Sequence, residues 1–149
     1  GQPIPDGSTI GIPNDPTNGG RALLLLAAQK LITLKEGIGV RATLEDITAN
    51  PHKFKFKELD AAIMPRSLVD LDVAVINTNY AIATGMNPVK DSIFIESAES
   101  PFVNILVTKE KMKDDPRVKA FIKIYQSEEN AKFITEHFKG SVTTGWTNK

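Results

Sequence analysis

Three residues stand where their side chains could do chemistry: Arg21, Asn77 and Asn104. Arg21 closes the stretch "IPNDPTNGGR", directly ahead of "ALLLLAAQK". The apolar run predicts a helix over Arg21–Leu34, which puts a cation at the helix start, where the dipole favours anions. A guanidinium in that place makes sense if it grips a carboxylate at two points. The alternatives are a surface arginine, or one paired with Asp15. Asn18, Gly19 and Gly20 form the supporting loop, whose side-chain-free backbone would let N–H groups approach a ligand closely. Asn77 ends the apolar run "VAVIN". Its amide offers a donor and an acceptor, which suits the ammonium and carboxylate of an amino acid, or it caps the helix that follows. Asn104 lies inside "FVNILV", where a polar side chain in a buried strand needs a partner, either a ligand or neighbouring backbone.

Other chemistries find no support. The chain has no G-x-S-x-G, H-E-x-x-H or G-x-x-x-x-G-K-[ST] pattern, and "NGGRA" lacks the lysine of a phosphate loop. His52 and His137 lie in unrelated, surface-like contexts, and Asp114 with Asp115 reads as a helix cap before Pro116. With no cysteine in its 149 residues, the chain has no thiol chemistry, disulfide or Cys-based metal site. We therefore expect no catalysis, no metal and no cofactor. Lysine plus arginine (18) balances aspartate plus glutamate (18), so no global field attracts nucleic acid. The one dense lysine stretch, "HKFKFKE", alternates with phenylalanine and reads as a half-buried edge strand whose lysines discourage further pairing. No apolar run approaches the ~18 residues of a membrane span. The opening "GQPIPDGSTI" has neither the basic nor the apolar region of a signal peptide.

The elements that must position these residues alternate in type. Strands are expected at Ser8–Pro13, Phe54–Leu59, Asp72–Asn77, Ser92–Ser97 and Phe102–Lys109. Short helices are expected at Thr43–Pro51, Met64–Leu71 and Thr78–Gly85, with Thr43 and Asp46 spaced like a capping box. Two helices close the chain, at about Pro116–Gln126 and Glu128–Phe138. This alternation argues for an α/β architecture with a mostly parallel or mixed sheet. In such sheets ligands sit at the carboxyl ends of strands, on the loops and helix starts there, which is where the Arg21 loop, Asn77 and Asn104 are expected to fall. The connector Glu96–Phe102 is the candidate boundary.

"IPNDPTNGGRALLLL", "PRSLVDLDVAVINTNYA" and "ESPFVNILV", in that order, resemble the NlpA/MetQ lipoproteins, the methionine-binding family of bacterial ABC importers, from about Pro5 to Trp146. The resemblance implies a type II periplasmic-binding-protein fold, in which two α/β lobes close on a ligand. It assigns carboxylate capture to Arg21 and contacts with the amino-acid moiety to Asn77 and Asn104. By family topology residues 1–97 are the second lobe, and residues 98–149 are a hinge strand and helices returning to the first. The family's opening segment, with side chains that sandwich the substrate, and its lipobox cysteine are not in this chain. One complete lobe plus the returning half of the other is therefore expected.

The implied partners are L-methionine or a related small amino acid or peptide, and in the parent system an ABC permease with its ATPase. The implied location is periplasmic or cell-surface, through a lipid anchor on the parent. With much of the pocket missing, binding by this chain alone should be weak or absent. The apolar face of the last helices (Val118, Phe121, Ile122, Tyr125, Phe133, Ile134 and Phe138) should need cover from this chain, a second copy in a homodimer, or a complementary fragment. An interaction or surface-antigen role independent of ligand is the alternative reading.

Overall fold

The computed structural model describes residues 4–97 and 102–146. The chain divides into two compact units, Gly1–Met86 and Asn87–Lys149. The connector Glu96–Phe102 falls in the second unit, and four of its residues, 98–101, lie outside the described ones.

The first unit is built on β1 (Thr9–Pro13), which runs parallel to β4 (Lys55–Leu59) on one side and β5 (Val73–Ala74) on the other. A central strand flanked on both sides and covered on both faces must be apolar throughout. Ile10 and Ile12 are 0% and 1% exposed. Gly11 has the space of a strand under close cover: a Cβ there would meet Leu71 Cδ1 at 2.6 Å and Met64 Sδ at 2.8 Å. β4 is the edge strand foreseen from its alternation, with Lys55 and Lys57 exposed and Phe56 half-buried.

Helix α1 (Pro16–Ala28) differs from the expected Arg21–Leu34 at both ends. It starts five residues earlier because Asp15 accepts a cap bond from Asn18 N–H at 3.0 Å and Pro16 takes the first helical position. It stops at Ala28, and Lys30 turns left-handed at φ 60°. Thr33–Leu34 then forms β2, antiparallel to β3 (Ile47–Ala49). Leu23 and Leu26 plug the core against β1. The helix expected over Thr43–Pro51 is one 3-10 turn, Leu44–Asp46, followed by β3. Its start signal is real: the Asp46 carboxylate accepts from the Thr43 N–H and hydroxyl, both at 2.9 Å. The β-branched Ile47 and Thr48 then favour strand over helix. Helix α2 (Met64–Ser67) is extended by a 3-10 turn at Leu68–Asp70, and α3 (Thr78–Ala83) follows β5.

The second unit has α4 (Pro88–Asp91), α5 (Pro116–Tyr125) and α6 (Glu128–His137). The two long helices lie where expected and carry their caps: Asp115 accepts from Arg117 N–H at 2.9 Å, and Ser127 from Asn130 N–H at 3.2 Å. The strands expected at Ser92–Ser97 and Phe102–Lys109 are not formed among the described residues. An apolar run has the composition of a strand, but a strand exists only in a ladder with a neighbour. Ile105 and Val107 are each 76% exposed instead. The expected apolar face of the last helices is only partly covered: Phe121, Tyr125 and Phe133 are all about half exposed, while Val118, Ile122, Ile134 and Phe138 are half-buried. No described residue of this unit is buried.

Candidate functional site

Two helix starts meet at the carboxyl edge of the parallel sheet. β1 ends at Pro13 and feeds α1 through Asn14 and Asp15. Its neighbour β5 feeds α3 through residues 75–77. Asn77 Nδ2 donates to Asn18 Oδ1 at 2.9 Å, joining positions 59 residues apart. Asn18 Nδ2 in turn donates to Asp15 Oδ2 at 2.9 Å, while the other Asp15 oxygen takes the cap bond. The Asn18 donors, backbone N–H first and side-chain amide second, hold the Asp15 carboxyl below its ordinary value of 3.8.

Asn77 occupies the N-cap position of α3, yet its side chain makes no cap bond. The capping alternative does not describe it. Its Oδ1 is shielded from water and meets no donor among the described residues. Buried acceptors are nearly always paired, so such an oxygen is unusual in a folded chain.

Arg21 is half-buried and lies in the second turn of α1, three residues on from Asn18 and so on the same helix face. Its position corrects the dipole argument: the macrodipole acts within the first turn, and Arg21 lies beyond it. The two glycines also have a different local role from the one expected. Gly19 N–H is spent inside the helix, donating to Asp15 O at 2.8 Å. A Cβ on Gly19 would meet Pro13 O at 2.8 Å, and one on Gly20 would meet Val40 O at 2.3 Å. The pair lets α1 press onto the chain's own carbonyls.

Asn104 is exposed and belongs to the second unit. The structure thus joins Asn77 to Asn18 directly and places Arg21 one turn along the same helix. The residue that sequence reasoning undervalued is Asp15, weighed only as a partner for Arg21. Its signal was legible in the D-P-x-N spacing: a cap residue, proline at the first helical position, and an amide two positions later.

His52 is bonded through Nδ1 to the Asp6 carboxylate at 2.8 Å and stacks on Phe54. His137 stacks against Phe133 and meets the edge of Phe138. Among the described residues no group of three or more His, Cys, Asp or Glu side chains could hold a metal ion. No helix among them is long and apolar enough to cross a membrane.

The family model described as NlpA lipoprotein matches residues 2–146. Lipoprotein 28 of Escherichia coli K12 is 52% identical over 145 residues, covering 96% of this chain and 53% of its own length. The D-methionine-binding lipoprotein MetQ of the same strain is 48% identical over 145 residues, covering 96% and 54%. Among solved structures, a nutrient binding protein from Burkholderia cenocepacia bound to methionine superposes with a TM-score of 0.89 at 49% identity, covering 96% of this chain and 61% of that one. The chain therefore spans about half the length of these curated relatives, and its fold is the α/β fold of methionine-binding proteins of this type.

Proposed function

The chain belongs to the NlpA lipoprotein family, and on that premise we propose that it is part of a substrate-binding protein that hands methionine, or a related amino acid, to an ABC importer. The parent is lipid-anchored at the periplasmic or cell-surface face of a membrane and works with a permease and its ATPase. It binds and releases; it performs no reaction. Arg21 captures the carboxylate, Asn77 orients the amino-acid moiety, and Asn104 adds a contact on the strength of the family motif alone. The observation that carries the reading is the Asn77–Asn18 bond at the carboxyl edge of the sheet, beside an acceptor that meets no donor among the described residues. Two relatives whose names state methionine binding support the choice of ligand.

The test is methionine titration of a protein carrying the whole length of these relatives. Arg21→Ala is expected to weaken binding by about 3–5 kcal/mol, the scale for removing one partner of a desolvated ion pair. Unchanged affinity would remove Arg21 from the site.

The same premise assigns cover for the apolar face of α5 and α6. These helices border an open groove of about 390 Å³ lined by Phe121, Ile124, Tyr125 and Phe133 among others. Its occupant, in this proposal, is the polypeptide matching the part of the relatives that this chain does not span, close to half of their length. Mixing the chain with that polypeptide should give a one-to-one complex on size-exclusion chromatography. A homodimer that refuses the added polypeptide, or a stable monomer with or without it, would contradict the assignment.

A further inference from the structure

We propose that Asp15 is a positioning residue that fixes which end of the Asn77 amide faces the ligand, an inference that rests on the amino-acid-binding reading above. An ionised carboxylate only accepts, so the atom of Asn18 lying 2.9 Å from Asp15 Oδ2 must be its NH₂ group. That leaves Asn18 Oδ1 on the other side, where it can only accept, and so Asn77 must turn its own NH₂ toward it. The remaining atom of Asn77 is the shielded Oδ1, the acceptor that meets no donor among the described residues. Asparagine orientations are ambiguous when an amide faces neutral partners; here the charge at one end of the chain Asp15–Asn18–Asn77 removes the ambiguity. The site is thereby built to offer an acceptor, and the chemistry it selects is a cation or N–H donor such as an α-ammonium. This oxygen is itself shielded from water, so a ligand donor reaching it gains a bond that solvent did not supply.

The relay makes an unusual prediction for Asp15→Asn. Asparagine is as good a helix cap as aspartate, so the cap on Asn18 N–H survives. Keeping that cap requires the new amide oxygen to stay on the backbone N–H, which turns its NH₂ toward Asn18. Two NH₂ groups cannot bond, so Asn18 inverts, Asn77 inverts after it, and the site then offers a donor. Adding Asn18→Asp restores the original sense: the new carboxylate accepts from residue 15 on one side and from Asn77 on the other.

The experiment uses the 149-residue chain, its Asp15→Asn variant and the Asp15→Asn/Asn18→Asp double variant. Trans-hydrogen-bond couplings in the ligand-free chains read the sense of the Asn18–Asn77 bond. Titrations with L-methionine and with its desamino analogue, which keeps the carboxylate and lacks the amine, read the consequence. We expect the coupling to run from Asn77 nitrogen to Asn18 carbonyl in the wild type, to reverse in Asp15→Asn, and to return in the double variant. The preference for methionine over the desamino analogue should fall at least tenfold in the single variant and recover in the double. An unreversed coupling, or a preference that the single variant leaves intact, overturns the relay. Coupling reversal with no methionine binding even in a protein carrying the whole length of these relatives upholds the relay and counts instead against the amino-acid reading.

Discussion

Replacing Gly20 by alanine sets two effects of opposite sign against each other. Gly20 lies inside α1, where alanine is favoured over glycine by about 1 kcal/mol. An exposed helical glycine would therefore gain stability from the change. Here the added Cβ would sit 2.3 Å from Val40 O, 3.1 Å from Val40 C and 3.3 Å from Ala42 O, where ordinary contact begins at 3.4 Å. The obstacle is backbone, not the end of a flexible side chain, so the helix or the 3-10 turn at Gly39–Arg41 must retreat by about an ångström. Overpacking of this kind costs about 1–3 kcal/mol, and a rigid carbonyl places the cost at the upper end. Subtracting the propensity gain leaves a net loss of about 2 kcal/mol. Native-state amide hydrogen exchange at Val75, whose N–H donates to Gly11 O at 2.9 Å, and at Asn14, whose N–H donates to Leu59 O at 2.9 Å, reads the sheet that α1 covers. Their exchange should speed up roughly 30-fold, the factor belonging to 2 kcal/mol. Slower exchange would mean that propensity wins and that α1 does not press on the Val40 carbonyl as described. Gly20 lies between Asn18 and Arg21, so the same retreat should also weaken ligand binding.

Leu26 is 0% exposed, and Leu26→Ala should cost about 2–5 kcal/mol by urea unfolding, the range for a core truncation; a loss below 1 would mean the site collapses freely. Asp15, Asp46 and Asp115 are each held below 3.8, chiefly by the Asn18 N–H, the Thr43 N–H and the Arg117 side chain respectively. A depressed folded value stabilises the native state above the unfolded value, so their contribution is full above about pH 3.8 and is lost as pH falls through the lower folded values. Carboxyl titration by NMR should place all three midpoints below 3.8, and a midpoint at or above it removes the corresponding bond. Phe121→Glu with Phe133→Glu should abolish association through the α5–α6 face, read by analytical ultracentrifugation, while leaving the exchange of Val75 unaltered.

How much was legible in the sequence depended on whether the deciding interaction was local. The cap of α5, the buried β1 and the lysine-guarded edge strand all follow from neighbours within a few residues, and all are present. The start of α1 was hidden because "DPTNGG" carries turn residues, and only the Asp15 cap shows that they begin a helix. Residues 43–51 announced a helix with a genuine cap, then lost it to pairing with β2, a partner more than ten residues away. The strands read at 92–97 and 102–109 failed for the same reason in reverse: their apolar character is real, and the described chain supplies no ladder. At the site, Arg21 came to notice through a dipole argument that its true helical position withdraws, whereas Asn77 and Asn18 meet across 59 residues, a bond that spacing alone does not reveal.

The most direct test of the account is an NMR titration of the 149-residue chain with L-methionine and D-methionine, observing the side-chain amides of Asn18 and Asn77. The account predicts weak, saturable shifts of both amides, with affinity near the millimolar range (about −4 kcal/mol), because half of the relatives' length is not in play. It predicts that Arg21→Ala abolishes those shifts. Saturable binding that leaves both amides unmoved, or shifts that persist in Arg21→Ala, would contradict it.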